Sequence, residues 1–394
     1  MDEINAKKAK MALIYMASIM GFVFSGWHAM LTNFVFEEAF FTGSDMGDLQ
    51  SVREIPGFLA FTAVFILLFI REQTLAILAL ALLCIGVLAT GYFPSKYGLI
   101  ATTLLMSIGF HYFETINSSL SLQWLPKADA PAFLGKVIGF GSFAALVTYG
   151  VIWVFYTTLK FDYVVLYTIF GVVGLLMVVH LWWLFPKFEN VVPQKKHLFL
   201  KKRYWVYYVL TFLKGARRQI FMVFAAFLLV EKFGYSLDEI VMLYLVNKAG
   251  NIFAAPLIGR IIAKIGERRA LTFEYIGLIG VFIGYALVDD AFIAAGLYIL
   301  DHLFFAMAIG IKTYFQKIAD SEDMAATASV SFTIDHIASV IIPVTFGYIW
   351  MHNPSIVFYA GAGFAVLSLI ASNLIPHAPA PGNEFIWSER KKIA

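Results

Sequence analysis

Eleven charged side chains fall inside stretches of this sequence that are otherwise apolar enough to lie in a membrane. The cations are Arg53, Lys214, Arg217, Arg218, Lys248 and Lys312; the acids are Glu54, Glu114, Glu274, Asp301 and Asp335; and His111, His302 and His336 sit among them. An ionisable group at membrane depth is costly unless paired or hydrated, so such residues mark solute pathways, proton carriers or structural ion pairs. Lys214, Arg217 and Arg218 are three and four residues apart, which puts them on one helix face as a single cationic stripe. Two readings follow. The stripe is a site for an anion, with arginine gripping a carboxylate or phosphate through two parallel hydrogen bonds, or it pairs with acids on neighbouring helices and holds the fold together.

Three other helical faces carry matching chemistry. Ser107, His111, Glu114, Thr115 and Ser118 fit an arc of about 100° on one helix, a polar face on which His111 is expected to touch solute and Glu114 to carry a proton. The alternative is a neutral Glu114 hydrogen-bonded to His111 with no part in transport. Two ligands at His-x-x-Glu spacing do not make a metal centre, and none is expected. Asp301, Phe305, Ala308 and Lys312 share a second face, and Asp301 is expected to pair with Arg217 or Arg218 in a contact that solute or a proton opens. Ser331, Asp335 and Ser339 share a third, making Asp335 another proton carrier or the partner of Lys248. Asn33 is expected to line the solute path. Arg53 and Glu54, just before Pro56, are either an outer gate contact or an interfacial pair that snorkels to water.

The elements that must position these residues are membrane helices. The chain has 394 residues, 60% hydrophobic, 17% aromatic and only 14% charged, against about 25% charged in ordinary soluble domains; the mean hydropathy is +0.79. A water-soluble globule is excluded. Spans of about 20 mainly apolar residues, broken at charge clusters and at Pro or Gly turns, are predicted at 11–36, 48–70, 73–92, 97–122, 135–158, 163–185, 205–230, 237–261, 268–288, 291–314, 325–350 and 355–375. The runs are too long and continuous for barrel strands, and the first span, lacking a small-residue cleavage site, reads as an uncleaved helix. The single cysteine, Cys84, excludes an internal disulfide.

Lysine and arginine set the orientation. Of the 29 in the chain, twenty fall on one side of these spans, three (Lys96, Lys160 and Lys232) on the other, and six within them. By the positive-inside rule both termini and the basic 187–203 segment are cytoplasmic. That segment splits the chain into an N-terminal bundle, 1–186, and a C-terminal bundle with a short tail, 204–394. The expected fold is therefore all-α and polytopic, twelve transmembrane helices in two six-helix bundles.

Between spans 8 and 9 runs Gly259-Arg260-Ile261-Ile262-Ala263-Lys264-Ile265-Gly266-Glu267-Arg268-Arg269. This is similar to the cytoplasmic loop signature of the major facilitator superfamily: a Gly, an Asp with a basic residue, then a Gly and two basic residues. Ala263 replaces the usual Asp, and the loop between spans 2 and 3 keeps little of the first copy beyond Arg71. The resemblance implies that Arg260, Lys264 and Arg268 act at the inner gate, and that spans 1, 4, 7 and 10 line the cavity. Drug/proton antiporters of that superfamily carry a Gly-rich, Pro-containing motif in span 5. Here Leu134 to Ser142 has Gly135, Gly139 and Gly141 with no Pro following, which disfavours drug export and suits close helix packing.

The function expected is proton-coupled secondary transport of a small anionic or zwitterionic solute by alternating access, bound near the midplane. The alternatives are an exporter of amphipathic compounds or a transition-metal carrier, although spans 7 and 8 show no Met-x-x-x-Met or His-x-x-x-Met clustering of the copper-carrier kind. No nucleophile and base share a helix face and no protease or phosphate-loop motif is present, so no catalysis is expected. No cofactor is implied, and the small charge imbalance of +3 does not suggest nucleic acid. The partners are the solute, protons and membrane lipids, for a monomer in the inner (cell) membrane of a bacterium.

Overall fold

The computed structural model describes residues 3–67, 69–124, 130–185, 201–320 and 324–387. Residues 187–200 of the expected linker, and the basic residues 390–392 of the tail, lie outside them. Among the described residues all regular structure is helical apart from one isolated bridge, Ala380 to Asn383. Among the described residues, nine helices are long and apolar enough to cross a membrane. Three predicted spans are not among these nine. The 48–70 stretch is a helix, Gly43–Phe58, that contains Pro56 and passes into a 3-10 turn, Ala60–Thr62, and a short helix, Ala63–Ile66. The 205–230 stretch is interrupted by a π-helical segment, Ile220–Ala225, between Trp205–Gln219 and Ala226–Glu231. The 237–261 stretch lies in the 29-residue helix Leu237–Ile265.

The chain forms two compact units. The first comprises residues 1–41, 52–193 and 235–245. Its helices interlock where side chains are smallest, since lipid leaves no hydrophobic drive between helices and close van der Waals packing must supply the attraction. Helices Glu72–Thr90 and Lys96–Trp124 approach so nearly that a Cβ on Gly86 would strike the Met106 backbone and one on Gly109 the Leu83 backbone. Helices Glu3–Glu37 and Ala130–Thr157 meet in the same way at Gly21 and Gly141, whereas Gly139 has nothing within 4 Å. Of the expected small-residue motif, then, Gly141 does the packing and Gly139 does not; the side chain at 135 lies outside the described set. Trp27, Phe34, Tyr167 and Phe170 fill the core.

The second unit comprises residues 42–51, 194–234 and 246–394. Helix Glu267–Leu287 packs along Pro354–Ser372, and Trp205–Gln219 along Met324–Trp350. Buried Tyr275, Phe282, Phe224 and Phe227 form the core, with Phe224 stacked on Trp350 at 5.4 Å. Two helices start at side-chain caps. Asp290 accepts from Ile293 N at 2.9 Å and Asn353 from Ser355 N at 2.9 Å, each satisfying an otherwise orphaned N–H. Past Ser372 the chain folds back: Ile386 N donates to Leu374 O at 3.0 Å, Tyr314 donates to the Glu384 carbonyl, and Arg203 pairs with Asp320 and, at 3.7 Å, with Glu384.

Candidate solute and proton site

In the second unit the cationic stripe divides between two acids. Lys214 and Arg218 both reach Asp335, at 3.2 and 2.7 Å. The approach depends on Gly215, where a Cβ would stand 3.1 Å from Asp335 Oδ1 and 3.2 Å from the Ala338 methyl. Arg218 also donates to Ser339 Oγ at 3.0 Å, as does Gln219 at 2.8 Å, while Ser339 donates to the Asp335 carbonyl at 3.0 Å. The Asp335 and Ser339 face predicted from helical spacing is present, but the partner of Asp335 is the stripe and not Lys248. Lys214 and Arg218 retain 23% and 31% side-chain exposure.

Arg217 turns the other way. It is 1% exposed, 3.5 Å from the fully buried Glu274, and its guanidinium lies over the Tyr275 ring at 4.6 Å. The expected pairing of Asp301 with Arg217 or Arg218 is corrected accordingly. Glu274 takes Arg217, Asp335 takes Arg218, and Asp301 Oδ2 is buried without a hydrogen-bond partner, though within electrostatic reach of Arg217 and Glu274. The straight face from Asp301 to Lys312 is also broken. A 3-10 turn, Ala306–Ala308, separates Ala291–Phe305 from Ile309–Ile318, and its tighter winding alters the register; Asp301 is buried and Lys312 exposed.

In the first unit His111 is buried, edge-on to Phe110 at 4.9 Å, and its carbonyl accepts from Thr115 at 2.9 Å. Glu114 is half-buried on the same helix, and the Ser118 side chain lies outside the described set. Ser107 donates to the Arg53 carbonyl. Arg53 and Glu54 pair at 2.5 Å with only 12% and 7% exposure, which corrects the snorkelling reading: they are interior. Asn33 is fully buried, and its amide donates to Glu37 at 3.1 Å and to the Tyr235 carbonyl at 2.8 Å, a tie from the first helix to the 235–245 segment.

The signature loop between spans 8 and 9 turns at Gly266, whose φ of +82° suits glycine. Gly259 has nothing within 4 Å, so no close packing is made there. Arg260 and Lys264 are exposed, Arg268 donates to Asn373 at 3.4 Å, and buried Glu267 is held by Lys317 at 2.7 Å.

Residues 11–343 match the family described as the Major Facilitator Superfamily. The chain belongs to this superfamily. Solved structures of other transporters share the fold. The nucleoside transporter NupG aligns at TM-score 0.72 and 14% identity, covering 92% of this chain and 98% of its own. A bacterial homologue of the human lysosomal transporter Spinster, inward-facing and unoccupied, aligns at TM-score 0.70 and 13% identity over 99% and 98%. A POT family transporter in complex with 5-aminolevulinic acid aligns at 0.72 and 14% over 92% and 94%. Curated proteins yield no match.

Four features of this major facilitator protein escaped sequence reasoning: the role of Glu274, the stacking of Tyr275, Gln219 on Ser339, and the π segment that follows Gln219. A lone acid in an apolar helix was the signal for Glu274, but only the packing of two helices tells which cation it meets. A half-buried imidazole, His302, is bonded to Asn247 at 3.0 Å and lies edge-on to Phe221 of the π segment at 4.6 Å. The spacing of His302 suggested none of this.

Proposed function

We propose that this superfamily member is a proton-coupled secondary transporter of a small anionic or zwitterionic solute working by alternating access, with Lys214 and Arg218 as the anion grip. One observation carries this reading: both cations are partly exposed and close on one carboxylate, Asp335, so that an incoming solute carboxylate can take the place of Asp335. Charge-assisted bonds of this kind are roughly twice as strong as neutral ones, and the displaced Asp335 can then accept a proton, linking solute to proton in one exchange. Glu114 and Asp301 are further proton carriers in this reading, His111 and Asn33 belong to the solute path, and Arg53, Arg260, Lys264 and Arg268 act at gates. The POT family relative bound to 5-aminolevulinic acid supports it, because that ligand carries both an amine and a carboxylate.

The proposal includes twelve membrane helices in two bundles, 1–186 and 204–394, with cytoplasmic termini in a cell membrane. The test is uptake into proteoliposomes under an imposed pH gradient, using amino acids, small dicarboxylates, dipeptides and nucleosides. Uptake of a carboxylate-bearing solute, collapsed by a protonophore and abolished by Arg218→Ala with the folded protein retained, is expected. Uptake confined to nucleosides, or full carboxylate uptake by Arg218→Ala, overturns the anion grip.

A further inference from the structure

One nitrogen of Arg218, Nη2, makes both contacts of the grip. It stands 2.7 Å from Asp335 Oδ2 and donates to Ser339 Oγ at 3.0 Å, and neither contact engages Nε or Nη1. Lys214, 3.2 Å from Asp335 Oδ1, is a compact charge on a flexible stem, so the direction of the grip is left to the planar guanidinium. The two partners of Nη2 differ in kind. Asp335 is a charged side chain that keeps 11% exposure, whereas Ser339 is neutral and 0% exposed. A solute carboxylate can therefore compete with Asp335 for the guanidinium, while the buried hydroxyl stays where it is.

Ser339 is at the limit of what a hydroxyl can do. Its one proton goes to the Asp335 carbonyl at 3.0 Å, and its two lone pairs accept from Arg218 and from Gln219 Nε2, the latter at 2.8 Å. The bond to the carbonyl four residues back fixes the rotation of the hydroxyl, so its acceptor side is turned to these two donors. Gln219 is itself 1% exposed, and with its N–H given to Ser339 its Oε1 is buried with no hydrogen-bond partner. A buried acceptor is rarely left in that condition, and the amide braces the hydroxyl even so.

We propose that Ser339, braced by Gln219, is the positioning residue of the anion grip: it keeps hold of Arg218 Nη2 while Asp335 gives way to the solute carboxylate. An arginine released from Asp335 without this anchor regains the rotamer freedom of a long side chain, which each binding event must then remove again. With the anchor, the guanidinium stays presented. The N–H that Asp335 vacates and its neighbour on Nη1 form the fork that holds a carboxylate by two parallel bonds. This deepens the anion-grip reading and rests on it for the part played by solute; the anchoring of Arg218 does not.

The anchoring is tested without solute. Hydroxyphenylglyoxal, an arginine-directed dicarbonyl, condenses with the two terminal guanidinium nitrogens, so a held Nη2 slows it, and mass spectrometry of the full-length protein in detergent reads the rate at Arg218. In an Asp335→Ala background, adding Ser339→Ala is expected to speed labelling roughly tenfold, the worth of one hydrogen bond to a charged group. Adding Ser339→Thr, which keeps the hydroxyl, should leave the rate unchanged. Ser339→Cys, close in shape but with a sulfur that accepts only weakly, is expected to follow Ser339→Ala and replaces it if the alanine variant does not fold. Equal rates with and without the hydroxyl overturn the anchor. In proteoliposomes, Ser339→Ala alone should raise KM for a carboxylate-bearing solute roughly tenfold at a nearly unchanged maximal rate, because the lost bond serves ground and transition states alike. A fall in maximal rate with KM unchanged overturns the positioning role. If the wild type takes up no such solute, the anion-grip reading fails and the labelling result still decides the anchor.

Discussion

Arg217 and Arg218 are neighbours in sequence and opposites in environment. Adjacent helical residues point about 100° apart, and here that angle separates an arginine sealed against Glu274 from one that is 31% exposed beside Asp335. Alanine at the two positions is therefore expected to fail differently. Arg217→Ala leaves Glu274 buried without a counter-charge, which costs about 3–5 kcal/mol, so thermal unfolding in detergent should fall sharply. Replacing both partners by apolar residues, Arg217→Met with Glu274→Leu, should recover most of that loss, because a buried ion pair is often no more stable than apolar packing of like volume. Arg218→Ala should unfold close to wild type, since Lys214 still holds Asp335, and yet lose solute uptake. Equal unfolding temperatures for the two single variants would sink this division of labour. The cationic stripe was legible from spacing alone; its split was not, because the acids that divide it come from two other helices.

At the scale of elements, the helices are positioned by missing side chains as much as by present ones. Gly86 admits the Met106 backbone, which cannot yield, whereas Gly139 has open space around it. Gly86→Ala is thus expected to destabilise the protein by about 1–3 kcal/mol through overpacking. Gly139→Ala should be neutral or up to about 1 kcal/mol stabilising through helix propensity. Thermal unfolding of the two variants side by side checks this, and a harmless Gly86→Ala would remove the case for backbone contact at that crossing. Both glycines lie in apolar helices and read alike in sequence. Two irregularities were equally hidden: the π segment at Ile220–Ala225 and the 3-10 turn at Ala306–Ala308. Neither carries a proline, so local chemistry did not announce them, and the 3-10 turn re-aims side chains that an ideal helix had placed on one face.

For the whole molecule the testable claim is orientation. Cys84 is fully buried, so an introduced thiol is the only one a bulky reagent reaches in the folded chain. Lys160→Cys and Asp290→Cys, at exposed positions on the side poor in lysine and arginine, should react with a membrane-impermeant maleimide in intact cells. Lys264→Cys, exposed in the signature loop, should react only after permeabilisation. The reverse pattern would invert the positive-inside assignment.

What the sequence determined by itself was the solvent and the family. Long apolar runs must be helical in lipid because a backbone without water has to bond to itself, and the Gly259 to Arg269 signature placed the chain among major facilitator proteins before any coordinate was known. It also determined which side chains are too costly to be idle. The tertiary structure decided their pairing: Glu274 with Arg217, Asp335 with Lys214 and Arg218, Arg53 with Glu54 in the interior, and Asp301 with no ion-pair partner among the described residues. The physical reason is range. Helix formation and membrane insertion depend on neighbours within a turn or two, whereas an ion pair inside a bundle depends on how two distant helices cross, and that crossing is set by where glycines let backbones meet.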